Sequence, residues 1–219
     1  TAGPMTSGAV IADAIAKVTG TFRASNEYVA FATKHARCTP KVNALYIDNT
    51  HTSQSGRWIF LVSATPGEGC PLDDSLTSLV KLDWESGGAD RVAVMPSQID
   101  RVVRTAAAAG EMTETQVFGG TGNSEDVALA KAISSEGGLA FRRKHGACVP
   151  VFQATQIHET PGDRSGQRTY VAVGTPGRDC MRDDSVAMIV RVELGADGAE
   201  TAGVVPSDVD RTIRDVVPK

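Results

Sequence analysis

Residues 31–104 align without a gap onto residues 141–214 at a constant offset of 110, and about a third of the paired positions are identical. Phe31, Lys34, His35, Cys38 and Pro40 return as Phe141, Lys144, His145, Cys148 and Pro150. Thr65-Pro66-Gly67, Cys70 and Asp73-Asp74-Ser75 return as Thr175-Pro176-Gly177, Cys180 and Asp183-Asp184-Ser185. Pro96, Ser97, Asp100, Arg101 and Arg104 return as Pro206, Ser207, Asp210, Arg211 and Arg214. Composition does not produce a gapless match of this length, so the chain is two copies of one unit. Whatever one copy folds into, the other must fold into as well. The 219 residues divide into a first repeat at 1–104, a linker at 105–122 and a second repeat at 123–219, each repeat able to bury a modest core.

Each repeat reads as helix, three or four strands and a short helix. Ile11 to Val18 is Ala-rich and helix-compatible with Ser7 as its N-cap, and its partner is Val127 to Ile133 with Ser124 as the cap. A second helical piece spans Asn26 to Ala36 and Glu136 to His145, although Gly137-Gly138 weakens it in the second copy; Pro40 and Pro150 end it. Strands are expected at Val42 to Asp48, Trp58 to Ala64 and Leu76 to Trp84, matched by Phe152 to His158, Thr169 to Gly174 and Val186 to Leu194. A weaker fourth strand lies at Arg91 to Met95 and Thr201 to Val205. The last helix opens at Ser97 and Ser207, with Asp100 and Asp210 placed to meet the first-turn amides. The fold class is α+β: antiparallel hairpins with helices on one face, duplicated into a pseudo-twofold two-domain protein. The four alanines and four-residue glycine-rich stretch inside 105–122 mark the linker.

All four cysteines occupy equivalent places, and three chemistries suit them. If the first two strands form a hairpin, Cys38 and Cys70 lie at one edge. Of the three pairings open to four cysteines, the repeat then favours Cys38 with Cys70 and Cys148 with Cys180. Paired cysteines in small domains belong to oxidising compartments, so one disulfide per repeat implies an extracytoplasmic protein. A second chemistry is a zinc shell, in which His35 and Asp73, or His145 and Asp183, join the two cysteines of each copy.

The third starts from Cys180-Met181-Arg182-Asp183, which resembles the Cys-x-Arg-Asp bilin-attachment motif of phycobiliproteins. The resemblance implies a phycoerythrobilin- or phycourobilin-type chromophore on Cys180, with Arg182 near its propionates and Asp183 on its pyrrole nitrogens; Asp73 is the counterpart in the first copy, which lacks the arginine. A duplicated chain of this kind is similar to the γ linker subunits of phycoerythrins, which implies bilins on several cysteines and a plastid location after transit-peptide removal. The start at Thr1, without Met or an apolar leader, is what removal of a targeting peptide would leave, and equally what trimming of the initiator Met would leave.

No diagnostic catalytic motif is found: there is no Gly-x-Ser-x-Gly elbow, Walker loop or His-Glu-x-x-His helix. Asp73-Asp74 and Asp183-Asp184 read as solvated turns, because adjacent residues on an extended chain point to opposite sides. The Thr-Pro-Gly turns are expected to use Pro for its fixed φ and Gly for a positive one. A net charge of −4 argues against a nucleic-acid surface, no run is long enough to span a membrane, and Arg142-Arg143-Lys144 reads as a solvated helix face. Trp58 and Trp84 stand opposite Arg168 and Leu194, which makes Trp58, if exposed, an anchor for a partner. The expected function is a non-catalytic duplicated protein without a cofactor, presenting two related surfaces to a protein partner; a bilin-carrying linker and a zinc-stapled tandem domain are the alternatives.

Overall fold

A computed structural model describes residues 8–119, 123–160, 166–177 and 180–217. The first repeat contains α1 (Gly8–Arg23), α2 (Asn26–Lys34), β1 (Lys41–His51), β2 (Ser55–Thr65), β3 (Leu76–Glu85), β4 (Arg91–Met95) and α3 (Ile99–Ala108). After β5 (Thr113–Phe118) the second repeats the order: α4 (Ser124–Ser134), α5 (Glu136–Lys144), β6 (Val151–Thr160), β7 (Gln167–Thr175), β8 (Val186–Leu194), β9 (Glu200–Val205) and α6 (Val209–Val216). The two similar α+β units are as the repeat requires, and a pseudo-twofold relates them. Each forms an antiparallel sheet, in the orders β1-β2-β3-β4 and β5-β9-β8-β7-β6.

Local chemistry explains the element ends. Ser25 Oγ accepts from the Tyr28 amide at 3.2 Å to open α2, and Ser135 Oγ accepts from the Gly138 amide at 3.1 Å to open α5. Both helices stop at a histidine, His35 or His145, whose carbonyl accepts from the following cysteine amide at 2.9 Å. Asp100 and Asp210 accept from Arg104 and Arg214 one turn on, at 2.8 and 2.7 Å, and not from the first-turn amides. Their carboxylates accept at 2.9 Å from the amides of Thr77 and Ala187, tying α3 to β3 and α6 to β8. The cap positions themselves fall on Gln98 and Asp208, one residue beyond the serines expected from the sequence. Ser7 lies outside the described residues.

Helices cover both faces of each sheet, not one. On the outer face of the first sheet α1 and α2 pack over Tyr46, Trp58, Phe60, Val62 and Val80, and α4 and α5 do the same on the second over Tyr170, Ala172, Met188 and Val190. The inner faces meet each other: Leu45, Ile47, Ile59, Leu61 and Leu79 join Ile157, Val171, Val173 and Ile189, with Ile99 and Val103 of α3 and Val209 and Ile213 of α6 closing one side. A strand buried on both faces has no reason to alternate, which is why β2 is apolar throughout Trp58 to Val62. In β1 and β6 a register shift at Tyr46/Asp48 and Gln156/His158 leaves Ile47 and Ile157 as extra residues, both wholly buried between the sheets.

The repeats are joined by matching hydrogen bonds. The Asn49 amide donates to the Arg182 carbonyl at 2.7 Å and the Glu159 amide to the Leu72 carbonyl at 2.6 Å; the two are the same contact at an offset of 110, as an isologous twofold interface demands. Arg191 of β8, buried where the first repeat has Lys81, adds an asymmetric tie by donating to the carbonyls of Ala106 and Ala107 at the end of α3, at 3.3 and 3.1 Å. The 105–122 segment expected as a linker carries the end of α3 and all of β5, which pairs antiparallel with β9; residues 120–122 lie outside the described residues.

Gly67 and Gly177 do not have positive φ. A Cβ at Gly67 would run into the Thr39 carbonyl, and one at Gly177 into the Val149 carbonyl, so glycine is there for close backbone approach. Gly67→Ala is expected to cost about 2–4 kcal/mol, while Gly20→Ala in the open flank of α1, with nothing within 4 Å of the new methyl, should gain about 0.5–1 kcal/mol. Urea unfolding of both variants checks the pair, and similar small effects at the two sites would contradict it.

Candidate functional site

The identical residues of the two repeats converge on one carboxylate in each, buried in the first and part-buried in the second. Asp74, in the loop before β3, is 9% exposed. Its Oδ2 accepts from Lys34 Nζ at 2.7 Å and lies 2.9 Å from His35 Nε2, while Oδ1 accepts from Arg104 Nη1 at 2.6 Å and the Ser75 amide at 2.9 Å. Arg104 is held in turn by Asp100, at 2.8 Å. Asp184 repeats the arrangement with Lys144 at 2.6 Å, His145 at 2.8 Å, the Ser185 amide at 2.9 Å and Arg214 at 3.6 Å. Each hub thus clamps the end of one helix, the loop entering the third strand and the closing helix. Burial alone would raise the Asp74 pKa, but the hydrogen bonds from Lys34 and His35 and the charge of Arg104 prevail and hold it at about 2. The balance at Asp184 runs the same way.

Beside each hub sits a disulfide, Cys38–Cys70 and Cys148–Cys180, with Cα atoms 6.2 and 5.9 Å apart. All four cysteines are used and no free thiol remains. The zinc set is not assembled: His35 and His145 turn to Asp74 and Asp184 rather than to Asp73 and Asp183, and among the described residues no three His, Cys, Asp or Glu side chains are placed to hold a metal. Sequence spacing cannot say which of two adjacent carboxylates faces inward, so the hub residues themselves went unrecognised.

Trp58 is 1% exposed and belongs to the core. Its ring meets Tyr46 edge-on at 6.1 Å and Phe60 at 6.2 Å. The correction has a structural reason in its counterpart. Arg168 takes the Trp58 place in the second repeat, donating to Ser124 Oγ at 2.8 Å and Glu159 at 3.1 Å, and Ser124 donates to the buried Glu200 at 2.8 Å. One repeat fills this outer layer with an indole and the other with a polar network. Ser124 is therefore a buried network member, and Asn123 caps α4 by accepting from the Glu125 amide.

The Cys180-Met181-Arg182-Asp183 loop lies at the seam. Arg182 stacks over the Tyr46 ring, 4.8 Å from its centroid, and its backbone bridges to Asn49. Burial pushes the Tyr46 phenol up to about 12. Beyond the stack, Met181 and Asp183 join His51, Arg57, Asp83, Trp84 and Arg91 of the first repeat around an open cleft of about 600 Å³. Asp48, buried against Arg57 at 3.1 Å, has its pKa raised by burial, with Arg57 opposing and Asp183 adding to the rise. Half-exposed Met181 replaces the proline of the first copy, and Trp84, Arg57 and Arg91 replace Leu194, Gln167 and Thr201. Thr50, Ser55, Gly56 and Asp183 of the lining are matched by Thr160, Ser165, Gly166 and Asp73, so what sets the seam cleft apart is its bulky and charged side chains. Chemically it offers an indole, a thioether and charges of both signs, a lining suited to binding.

Set beside protein-family models, curated proteins and solved structures, the chain matches none.

Proposed function

We propose that this is a non-catalytic binding protein of an oxidising, extracytoplasmic compartment, and that it engages a protein partner through the seam cleft. The observation that carries the reading is the set of large side chains that one repeat alone brings to the seam. Shared residues build the disulfides, carboxylate hubs and close-approach turns, whereas the bulky and charged members of the cleft lining, Trp84, Arg57, Arg91 and Met181, have no identical counterpart. A scaffold kept twice and a surface made once is what duplication leaves when binding, not folding, has diverged.

The hubs support a structural role. Asp–His pairs occur in acid–base machinery, but here each carboxylate is saturated by basic donors and a backbone amide. Among the described residues no hydroxyl or thiol hydrogen-bonds to either His35 or His145. Two disulfides support the compartment, because reducing cytosol does not keep such pairs oxidised. The cleft lining supports a protein partner, since tryptophan, arginine and methionine are the residues enriched where proteins meet.

A photo-crosslinking residue placed at Met181 in the protein's native source tests this. A discrete crosslinked protein, absent when the same group sits at exposed Glu27 on α2, is expected. Identical products from both positions, or none from Met181, would overturn the reading.

A further inference from the structure

The second repeat carries a groove that the seam does not touch. Ile133, Leu139, Val149 and Phe152 line a depression of about 660 Å³ beside Arg142 and Arg143, between α5 and the start of β6. Its apolar side is open to water: Val149 is 84% exposed, Leu139 40%, and neighbouring Val151 38%. Single exposed aliphatic residues need no explanation, but several converging on one groove do. The basic side is open too. Arg143 Nε reaches only the Leu139 carbonyl of its own helix, at 3.3 Å, and neither guanidinium meets a carboxylate among the described residues. By contrast Lys144, next in sequence, is committed to Asp184.

The first repeat shows that the fold does not require this lining. At the offset of 110, Ile133, Val149 and Val151 replace Arg23, Thr39 and Lys41, while Arg142 and Arg143 replace Ala32 and Thr33. Apolar and basic residues have been gathered into one groove by exchanges in both directions. A helix C-terminus favours cations, which accounts for the charge but not for the aliphatic wall facing it.

We infer that this groove binds a single-chain anionic amphiphile, with its alkyl chain against Leu139, Val149 and Phe152 and its anionic head on Arg142 and Arg143. The volume is within the range of small-molecule sites. Paired guanidiniums suit a carboxylate or phosphate head, and charge complementarity excludes a cationic one. The inference is independent of the seam cleft and stands or falls without it.

Dodecanoate below its micelle concentration is the probe, titrated calorimetrically into the full disulfide-bonded chain. One-to-one saturable binding is expected, with dodecyltrimethylammonium weaker by about tenfold or more, as loss of charge-assisted hydrogen bonds implies. Arg142→Glu combined with Arg143→Glu should reduce dodecanoate affinity by a similar factor, and Val149→Asp should do so separately. All three side chains are exposed, and an unchanged unfolding midpoint verifies that the fold persists. Equal affinity for the two detergents, undiminished binding by the variants, no binding, or binding only to anionic phospholipid vesicles would each overturn the assignment.

Discussion

Replacing Cys38 and Cys70 by alanine lowers the unfolding free energy by about 3–4 kcal/mol, and the same change at Cys148 and Cys180 costs a similar amount. Each bridge closes a loop with a sequence separation of 32, and the chain-entropy account gives this magnitude for loops of that size. The bridges also sit where the hubs do. Cys38 follows α2, which supplies Lys34 and His35, and Cys70 precedes the loop that supplies Asp74. Without the bridge, the hub must assemble that loop unaided, so removing a disulfide and the hub in one repeat is expected to be less than additive. Urea unfolding of the paired-alanine variants checks this. A loss below about 1 kcal/mol would show that the bridges add little to a fold already closed by its core.

Asp74→Asn has the second large effect. The amide keeps the shape but must turn its NH2 either toward Lys34 and His35 or toward Arg104 and the Ser75 amide, and it leaves three basic groups around a site without negative charge. Breaking a buried pair costs 3–5 kcal/mol in general, but Lys34 and Arg104 are substantially solvated, so about 2–3 kcal/mol is expected. The pH dependence follows from the direction of the shifts. A folded-state pKa below the unfolded one means stability is fully present above about pH 4 and is lost as pH falls toward the folded value, which for Asp74 is about 2. Asp184 contributes in the same direction. Asp48, whose pKa is raised, acts oppositely and favours the fold on acidification. Changing both hub aspartates to asparagine should therefore flatten the acid decline between about pH 4 and pH 2. An unaltered decline in the double variant would show that other carboxylates govern acid unfolding.

Much of this architecture was legible because duplication supplies an internal control. The strands, the hairpin that brings Cys38 to Cys70, and the pairing itself follow from patterns present twice. The departures have physical causes. Strand β5, Thr-Glu-Thr-Gln-Val-Phe, has strand-forming residues but no described counterpart before α1, and sits between an alanine run and a glycine run. The burial of both sheet faces was signalled by the unbroken apolar runs Trp58 to Val62 and Val186 to Val190, which alternation would have forbidden. Trp58 stands opposite Arg168, and the exchange is of a buried indole for a part-exposed guanidinium tied to Ser124 and Glu159. Neither the seam cleft nor the amphiphile groove could be found by spacing, because both join loops and helix ends that only the packed structure places together. Arg142 and Arg143 were visible as a basic cluster, and what the sequence hid was the aliphatic wall beside them.

The most direct test of the central claim is the mass of the protein taken from its native source, with thiols alkylated first under non-reducing conditions and again after reduction. The account predicts no alkylation before reduction, four alkylated cysteines afterwards, and no other mass on any of them. Cysteines that react before reduction, or that carry a reduction-resistant adduct such as a bilin, would contradict a disulfide-stapled binding protein.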